Sequence, residues 1–193
     1  MPTTYSWFLQ GERLRVPYQA AQGRRVNAIG AVFTHGPAAG RLETQRWAVL
    51  PKSWAKRPRL SDEARAAAHG LQVTEVGPID GERLVAFLWR IAWRPADASP
   101  PWQRARPLIV ALDNYAVHHS ATVQAAQPVL AAAGITLVYL ARYCPEQSEI
   151  EPVWNDVKQH RLPIRSFERV ADLKTAVDAA LADKAAQLRR NAA

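Results

Sequence analysis

One segment constrains the fold more than any other. Pro107-Leu108-Ile109-Val110-Ala111-Leu112-Asp113 is an almost wholly apolar run that ends in a carboxylate. Such a run suits a central strand buried on both faces. A helix is expected from about Ser120 to Ala133, with Pro128 as a candidate interruption and Gly134 as its stop. Ile135 to Leu140 then reads as the next strand. Strand, helix and strand within about 35 residues form a βαβ unit, so the strands should be parallel and the crossover right-handed. The pattern places the chain in the α/β class.

The remaining segments fit around that unit. Arg24 to Phe33 reads as a strand with apolar groups on both faces, broken by His35-Gly36-Pro37. A second strand is expected at Arg46 to Leu50. A short helix is expected from Asp62 to His69, with Ser61 as N-cap and Gly70 as stop. Gln72 to Val76 reads as a short strand. Asp80 to Trp93 reads as a helix, because Leu84, Phe87, Leu88 and Ile91 follow the i, i+3, i+4, i+7 pattern. The prolines at 95, 100 and 101 make Arg94 to Arg106 a loop. A further helix is expected from Ile150 to His160, and an Ala-rich helical tail from Phe167 to Leu188.

Charge bears on partners. Lys and Arg total 25 against 17 Asp and Glu, a formal net charge of +8. Polyanions are favoured partners of such a chain, because phosphate binding releases counterions. An Arg- and Ala-rich composition also arises from coding bias, so charge alone does not establish nucleic-acid binding. The single cysteine excludes an internal disulfide and a Cys-only metal cluster. No apolar run approaches the ~20 residues needed to span a bilayer, and the first residues do not pattern as a secretory signal. A cytoplasmic setting is expected. No Gly-rich phosphate loop, HExxH or GxSxG occurs, which disfavours P-loop, zincin and α/β-hydrolase chemistry.

The candidate functional residues are carboxylates at element ends. Asp113 closes the apolar strand, and ligand sites in open α/β sheets gather at the carboxyl ends of strands. Asp113-Asn114 can equally be a simple turn. Glu151 opens the helix after the next strand. Two facing carboxylates repel unless a divalent cation relieves them. The competing reading is a capping box, in which Glu151 folds back on the Ser148 amide. Pro152 favours a different start, with Glu151 as N-cap and Pro152 at the first helical position. His118-His119 could touch phosphate or metal, or could be a helix-entry loop. The basic stretch Lys52, Trp54, Lys56, Arg57 and Arg59 could meet phosphate, with Trp54 stacking on a base, or could be a solvated loop with Trp54 in the core. Asp156 is expected to be solvated, and Cys144 structural.

Leu108 to Ser120, with its core Leu112-Asp113-Asn114-Tyr115-Ala116-Val117-His118, resembles the segment around the second catalytic aspartate of mariner-related bacterial insertion-sequence transposases. Gly134 to Leu140 is similar to that family's next strand. Tyr143-Cys144-Pro145-Glu146-Gln147-Ser148-Glu149-Ile150-Glu151 resembles its third-carboxylate motif, usually Tyr-Ser-Pro-x-Leu-Asn-Pro-Ile-Glu before a Trp-containing helix. Here Ser148-Glu149 stands in place of Asn-Pro. Asp113 and Glu151 are separated by 37 residues, close to the family spacing. Weaker likeness covers Tyr5-Ser6-Trp7 to Gly11 and Gly23 to Gly30.

The resemblance implies a ribonuclease H-like mixed sheet flanked by helices. It implies a catalytic core over residues 1–165 with a basic insertion at about 37–70, and a helical tail over 166–193. In that family three carboxylates hold two Mg²⁺ (or Mn²⁺) ions for in-line attack on phosphodiesters. Asp113 and Glu151 would be two of the three metal ligands. Lys52, Trp54, Lys56, Arg57, Arg59, His118 and Lys158 would face DNA, the transposon ends. The family's first carboxylate lies upstream of the segment matching Tyr5-Ser6-Trp7. No Asp precedes Asp62, and Glu12 and Glu43 are not in matching positions. The expectation is therefore a transposase fragment that lacks its first strand and its DNA-reading helix-turn-helix. It would be inactive alone, with a weakened metal site, and would act as a homodimer or with an upstream transposase half. A non-catalytic DNA-binding remnant is one alternative. A standalone ribonuclease H-like nuclease that recruits Glu12 or Asp80 is the other.

Overall fold

The computed structural model describes residues 24–50, 60–141, 144, 147–163 and 167–192. The basic stretch Lys52 to Arg59 and the segment around Tyr5 and Glu12 lie outside these residues.

The expected elements form with few exceptions. β1 (Arg25–Val32) and β2 (Leu42–Val49) make a two-stranded sheet. Their hairpin closes through Phe33, whose N–H donates to the Arg41 carbonyl and whose carbonyl accepts from Gly40 N–H. α1 (Asp62–Ala67) starts at Ser61, whose hydroxyl accepts from Ala64 N–H, and gives way to Gly70 at φ +72°. α2 (Gly81–Ile91) is capped by the Asp80 carboxylate, which accepts from Arg83 N–H at 2.9 Å. β3 (Leu108–Leu112), α3 (Ala121–Ala132) and β4 (Ile135–Tyr139) build the expected βαβ unit. β3 and β4 pair in parallel, Leu108 opposite Ile135 through Leu112 opposite Tyr139. Pro128 lies inside an unbroken α3. It is on the exposed side, so the Gln124 carbonyl it leaves without a donor can turn to water. α4 (Glu151–Asp156) runs into a wider π turn, Val157–Arg161, and α5 (Val170–Ala192) is one long helix. No helix among the described residues is long and apolar enough to cross a membrane.

Two expectations are corrected. Gln72–Val76 is not a strand but a short 3₁₀ turn, Val73–Glu75, because the Glu75 carboxylate folds back to accept from Gln72 N–H. Only Val76 bridges a strand residue, Ala48. β3 is not buried on both faces: Leu108, Val110 and Leu112 turn inward, whereas Ile109 is 72% exposed. α2 and α3 supply packing to one face only. The described strands form two two-stranded sheets, β1 with β2 and β3 with β4, which with the helices make a mixed α/β structure.

The chain divides into two compact units. One comprises Ile29–Gln45 and Ile79–Glu151. Its core is Leu84, Phe87, Leu88 and Ile91 of α2, Val123 and Leu130 of α3, and Ile135 of β4, with Ile29 and Phe33 of the hairpin packed against it. α2 and the entry to α3 approach so closely that a Cβ on Gly81 would lie 2.5 Å from Ser120 Oγ. The second unit includes Arg46–Pro78 and Pro152–Ala193. Its core joins Ala48, Ala66, Leu71 and Val170. Charge pairs frame it. Lys174 lies 2.8 Å from Glu75 and 2.9 Å from Asp178, which also pairs with Arg46 at 2.6 Å.

α2 ends in an unusual way. Trp93 N–H donates to the Arg90 carbonyl and Arg94 N–H to the Trp89 carbonyl, the pattern of a Schellman cap. The residue at the left-handed position of that cap is normally glycine. Here it is Trp93, at φ +54°. A side chain there costs roughly 1–2 kcal/mol.

Candidate active site

The βαβ unit presents Asp113 where its strand leaves the sheet. Leu140 N–H donates to the Leu112 carbonyl, closing the parallel pair at this end. Asn114 then ties the two strand ends together, its side-chain amide donating to the Leu140 carbonyl at 2.6 Å. Asp113 turns back on the chain that follows it. Its Oδ1 accepts from Tyr115 N–H at 3.0 Å, so the turn expected of Asp-Asn forms. The same oxygen lies 2.9 Å from His118 Nδ1, which is also 2.8 Å from the Asp113 carbonyl. Both partners of Nδ1 are oxygens that only accept. Nδ1 therefore carries the proton, and the ring is set in one orientation.

A second tier holds this loop. His119 stacks on Tyr139 at 4.6 Å between centroids, and its Nε2 lies 3.3 Å from Asn114 Oδ1. The Tyr139 hydroxyl donates to the His118 carbonyl at 3.1 Å and accepts from Gln127 at 2.9 Å. Gln124 donates to the His119 carbonyl. Residues from β4 and α3 thus clamp the turn that carries Asp113. The side chain of Asp113 is 53% exposed and that of His118 only 17%. The carboxylate faces water while its imidazole support is sheltered. The sequence leaves His118-His119 as either a ligand pair or an entry loop. The loop is present, and its two rings are the braces. Tyr139, Gln124 and Gln127 join them without any signal in the sequence, since nothing in their spacing marks them as partners of a loop.

Glu151 belongs to the same compact unit and is the first residue of α4, half-buried. Its N–H donates to the Ser148 carbonyl. Its carboxylate has no hydrogen-bond or ion-pair partner among the described residues, so the capping-box closure on the Ser148 amide is not made. Pro152 is second in the helix, within the first turn, where no N–H is needed. Lys158 is exposed on the π turn. Asp156 is not solvated as expected. Arg161 lies 2.6 Å from it and Lys184 3.1 Å. The Arg161 guanidinium, opposed by partial burial and helped by Lys184, holds its carboxyl below the ordinary range. Asp80 caps α2, its Oδ1 accepting from Arg83 N–H.

Among the described residues no three His, Cys, Asp or Glu side chains converge to hold a metal ion. Asp113 and His118 are close, but Oδ1 and Nδ1 are used on each other. The described donors do not complete a two-ion site.

No curated protein matches the chain. Residues 64–174 match the family model described as DDE superfamily endonuclease. That stretch is more than half of the sequence and includes both Asp113 and Glu151. A strand-end aspartate on a braced turn and a glutamate opening the helix after the next strand fall within one family-wide match: the chain belongs to the DDE superfamily endonucleases.

Proposed function

We propose that the chain is part of a transposase of the mariner-related insertion-sequence kind, built on a ribonuclease H-like core. Asp113 and Glu151 are the second and third carboxylates of its phosphodiester-cleaving site. The observation that carries this reading is Asp113 itself, a water-facing carboxylate at the carboxyl end of a parallel strand, inside the family-matched stretch. His118 acts through Asp113 by fixing its rotamer. DNA, in the form of transposon ends, is the substrate, met by the basic stretch Lys52, Trp54, Lys56, Arg57 and Arg59 and by Lys158. A homodimer or an upstream transposase half completes the assembly.

Residues 1–193 alone bind DNA but do not cut it. Two carboxylates hold Mg²⁺ or Mn²⁺ weakly, and no third donor joins Asp113 among the described residues. The test is a supercoiled-plasmid assay with Mg²⁺ or Mn²⁺, run beside a DNA-binding titration. Binding without nicking is expected. Metal-dependent nicking that disappears in Asp113→Ala would overturn the inactivity and favour a standalone nuclease. Absence of DNA binding at low salt would overturn the transposase reading.

A further inference from the structure

The end of α2 carries a second surface, apart from the Asp113 turn. Trp93 occupies a backbone position that suits glycine, and yet its indole is 42% exposed. A large aromatic residue held in a left-handed conformation and left half in water is a poor choice for packing alone. What surrounds it is cationic. The guanidinium carbons of Arg41 and Arg104 lie 5.2 and 5.3 Å from the ring centroid of Trp93. Arg94 lies 4.9 Å over Trp89. Phe33 stacks on Trp93 at 5.2 Å with the rings 13° apart, which steadies the indole.

Arg94 and Arg104 are held without being neutralised. Arg104 donates to the carbonyls of Ala92 and Arg106, and Arg94 to that of Ala98. Carbonyls orient a guanidinium but leave its charge in place. Neither arginine has a carboxylate partner among the described residues, and Arg41 alone is paired, with Glu43. The segment Trp89 to Arg106 holds four arginines, Arg90, Arg94, Arg104 and Arg106, against one acid, Asp97, and of these Arg90 lies 3.9 Å from Glu43.

We propose that Trp93 with Arg41, Arg94 and Arg104 is a binding surface for single-stranded DNA. An unpaired base stacks on the part of the indole that Phe33 and the two guanidiniums leave exposed, and Arg94 and Arg104 meet the flanking phosphates. Duplex DNA buries its base faces in its own stack, so the indole can be used only where bases are unpaired. The inference rests on the reading of the chain as a DNA-binding protein, and adds a strand-specific site to it.

The test is fluorescence anisotropy of the whole chain with a short labelled oligodeoxythymidine and with a duplex of equal length. Trp93→Gly suits the left-handed backbone and removes the ring. It is expected to weaken binding of the single strand about fivefold or more and to leave duplex binding unchanged. Arg94→Gln is expected to flatten the salt dependence of single-strand binding by about 0.7 in slope, for the one phosphate it no longer neutralises. It serves as the deciding variant if Trp93→Gly fails to fold. Equal single-strand affinity and equal slope in these variants would overturn the proposal. If binding is then abolished by charge reversal of Lys52 to Arg59, the DNA reading itself still stands. No binding of either DNA by the wild type would remove both. Tighter, Trp93-dependent binding of oligouridine would reassign the surface to RNA and overturn the assignment made here.

Discussion

His118 Nδ1 sits 2.9 Å from Asp113 Oδ1 and 2.8 Å from the Asp113 carbonyl, so one ring nitrogen restrains both the side chain and the backbone of the same residue. His118→Ala removes both restraints and leaves a sheltered gap. It is expected to cost about 1 kcal/mol in urea-induced unfolding. Asp113→Ala removes only the carboxylate, and the His118 bond to the carbonyl survives. The two changes share a partner, so the double variant should lose less than the sum of the singles. Strict additivity would show that the pair is not coupled.

The exposed face of β3 gives a second expectation. Ile109 is 72% exposed, whereas Leu112 is buried. Ile109→Thr keeps the β-branch and is expected to change the stability of the 193-residue chain by no more than about 0.5 kcal/mol. Leu112→Ala opens a cavity at the end of the same strand and should cost about 2 kcal/mol or more. Similar losses from both would mean that Ile109 is covered, as an apolar run buried on both faces requires.

These two positions show what the sequence carries and what it omits. The βαβ unit is legible because each of its parts has a local cause: an apolar run, a helical period, and Gly134 at φ +80° to end the helix. The exposure of Ile109 is not, because an apolar side chain looks the same whether or not a layer lies over it. Gln72 to Val76 misleads for a different reason. Its β-like residues are overruled by one carboxylate, Glu75, whose return to Gln72 N–H draws the segment into a turn. At the candidate site, the placement of Asp113 at a strand end and of Glu151 at a helix start is legible from residue type and position. Tyr139 and Gln127 are not, since their roles follow from the stacking of α3 and β4, which only the folded chain brings about.

Acid should weaken the unit that holds α5. The Arg161 guanidinium lowers the Asp156 carboxyl from its ordinary value of 3.8, with burial opposing and Lys184 assisting. The Gln72 N–H, then Lys174, lowers Glu75 in the same way. A carboxyl that is more acidic in the folded state stabilises the fold above its unfolded pKa, and that contribution is lost as pH falls through the lower, folded value. Stability measured by urea titration should therefore be level near neutrality and fall on acidification below the ordinary carboxylate range. Arg161→Met removes a partner of both Asp156 and Asp183 and should make the acid-side slope shallower. An unchanged slope would show that Asp156 draws its acidity elsewhere.

Metal binding offers the most direct check on how complete the site is. A ligand bound only by the folded state stabilises it by RT ln(1 + [L]/Kd), which is negligible when the ligand lies well below its dissociation constant. With Asp113 Oδ1 already serving Tyr115 and His118, and no third donor among the described residues, millimolar Mg²⁺ should raise the Tm of the chain by less than about 1 °C. Chelator should leave Tm where it was. The same measurement on Asp113→Asn is the control, because an amide keeps the acceptor oxygen for Tyr115 and His118 but loses the charge a cation needs. A rise of several degrees in the wild type that vanishes in Asp113→Asn would mean that a tight site assembles around Asp113 from donors beyond the described residues. The inactivity proposed for the isolated chain would then fall with it.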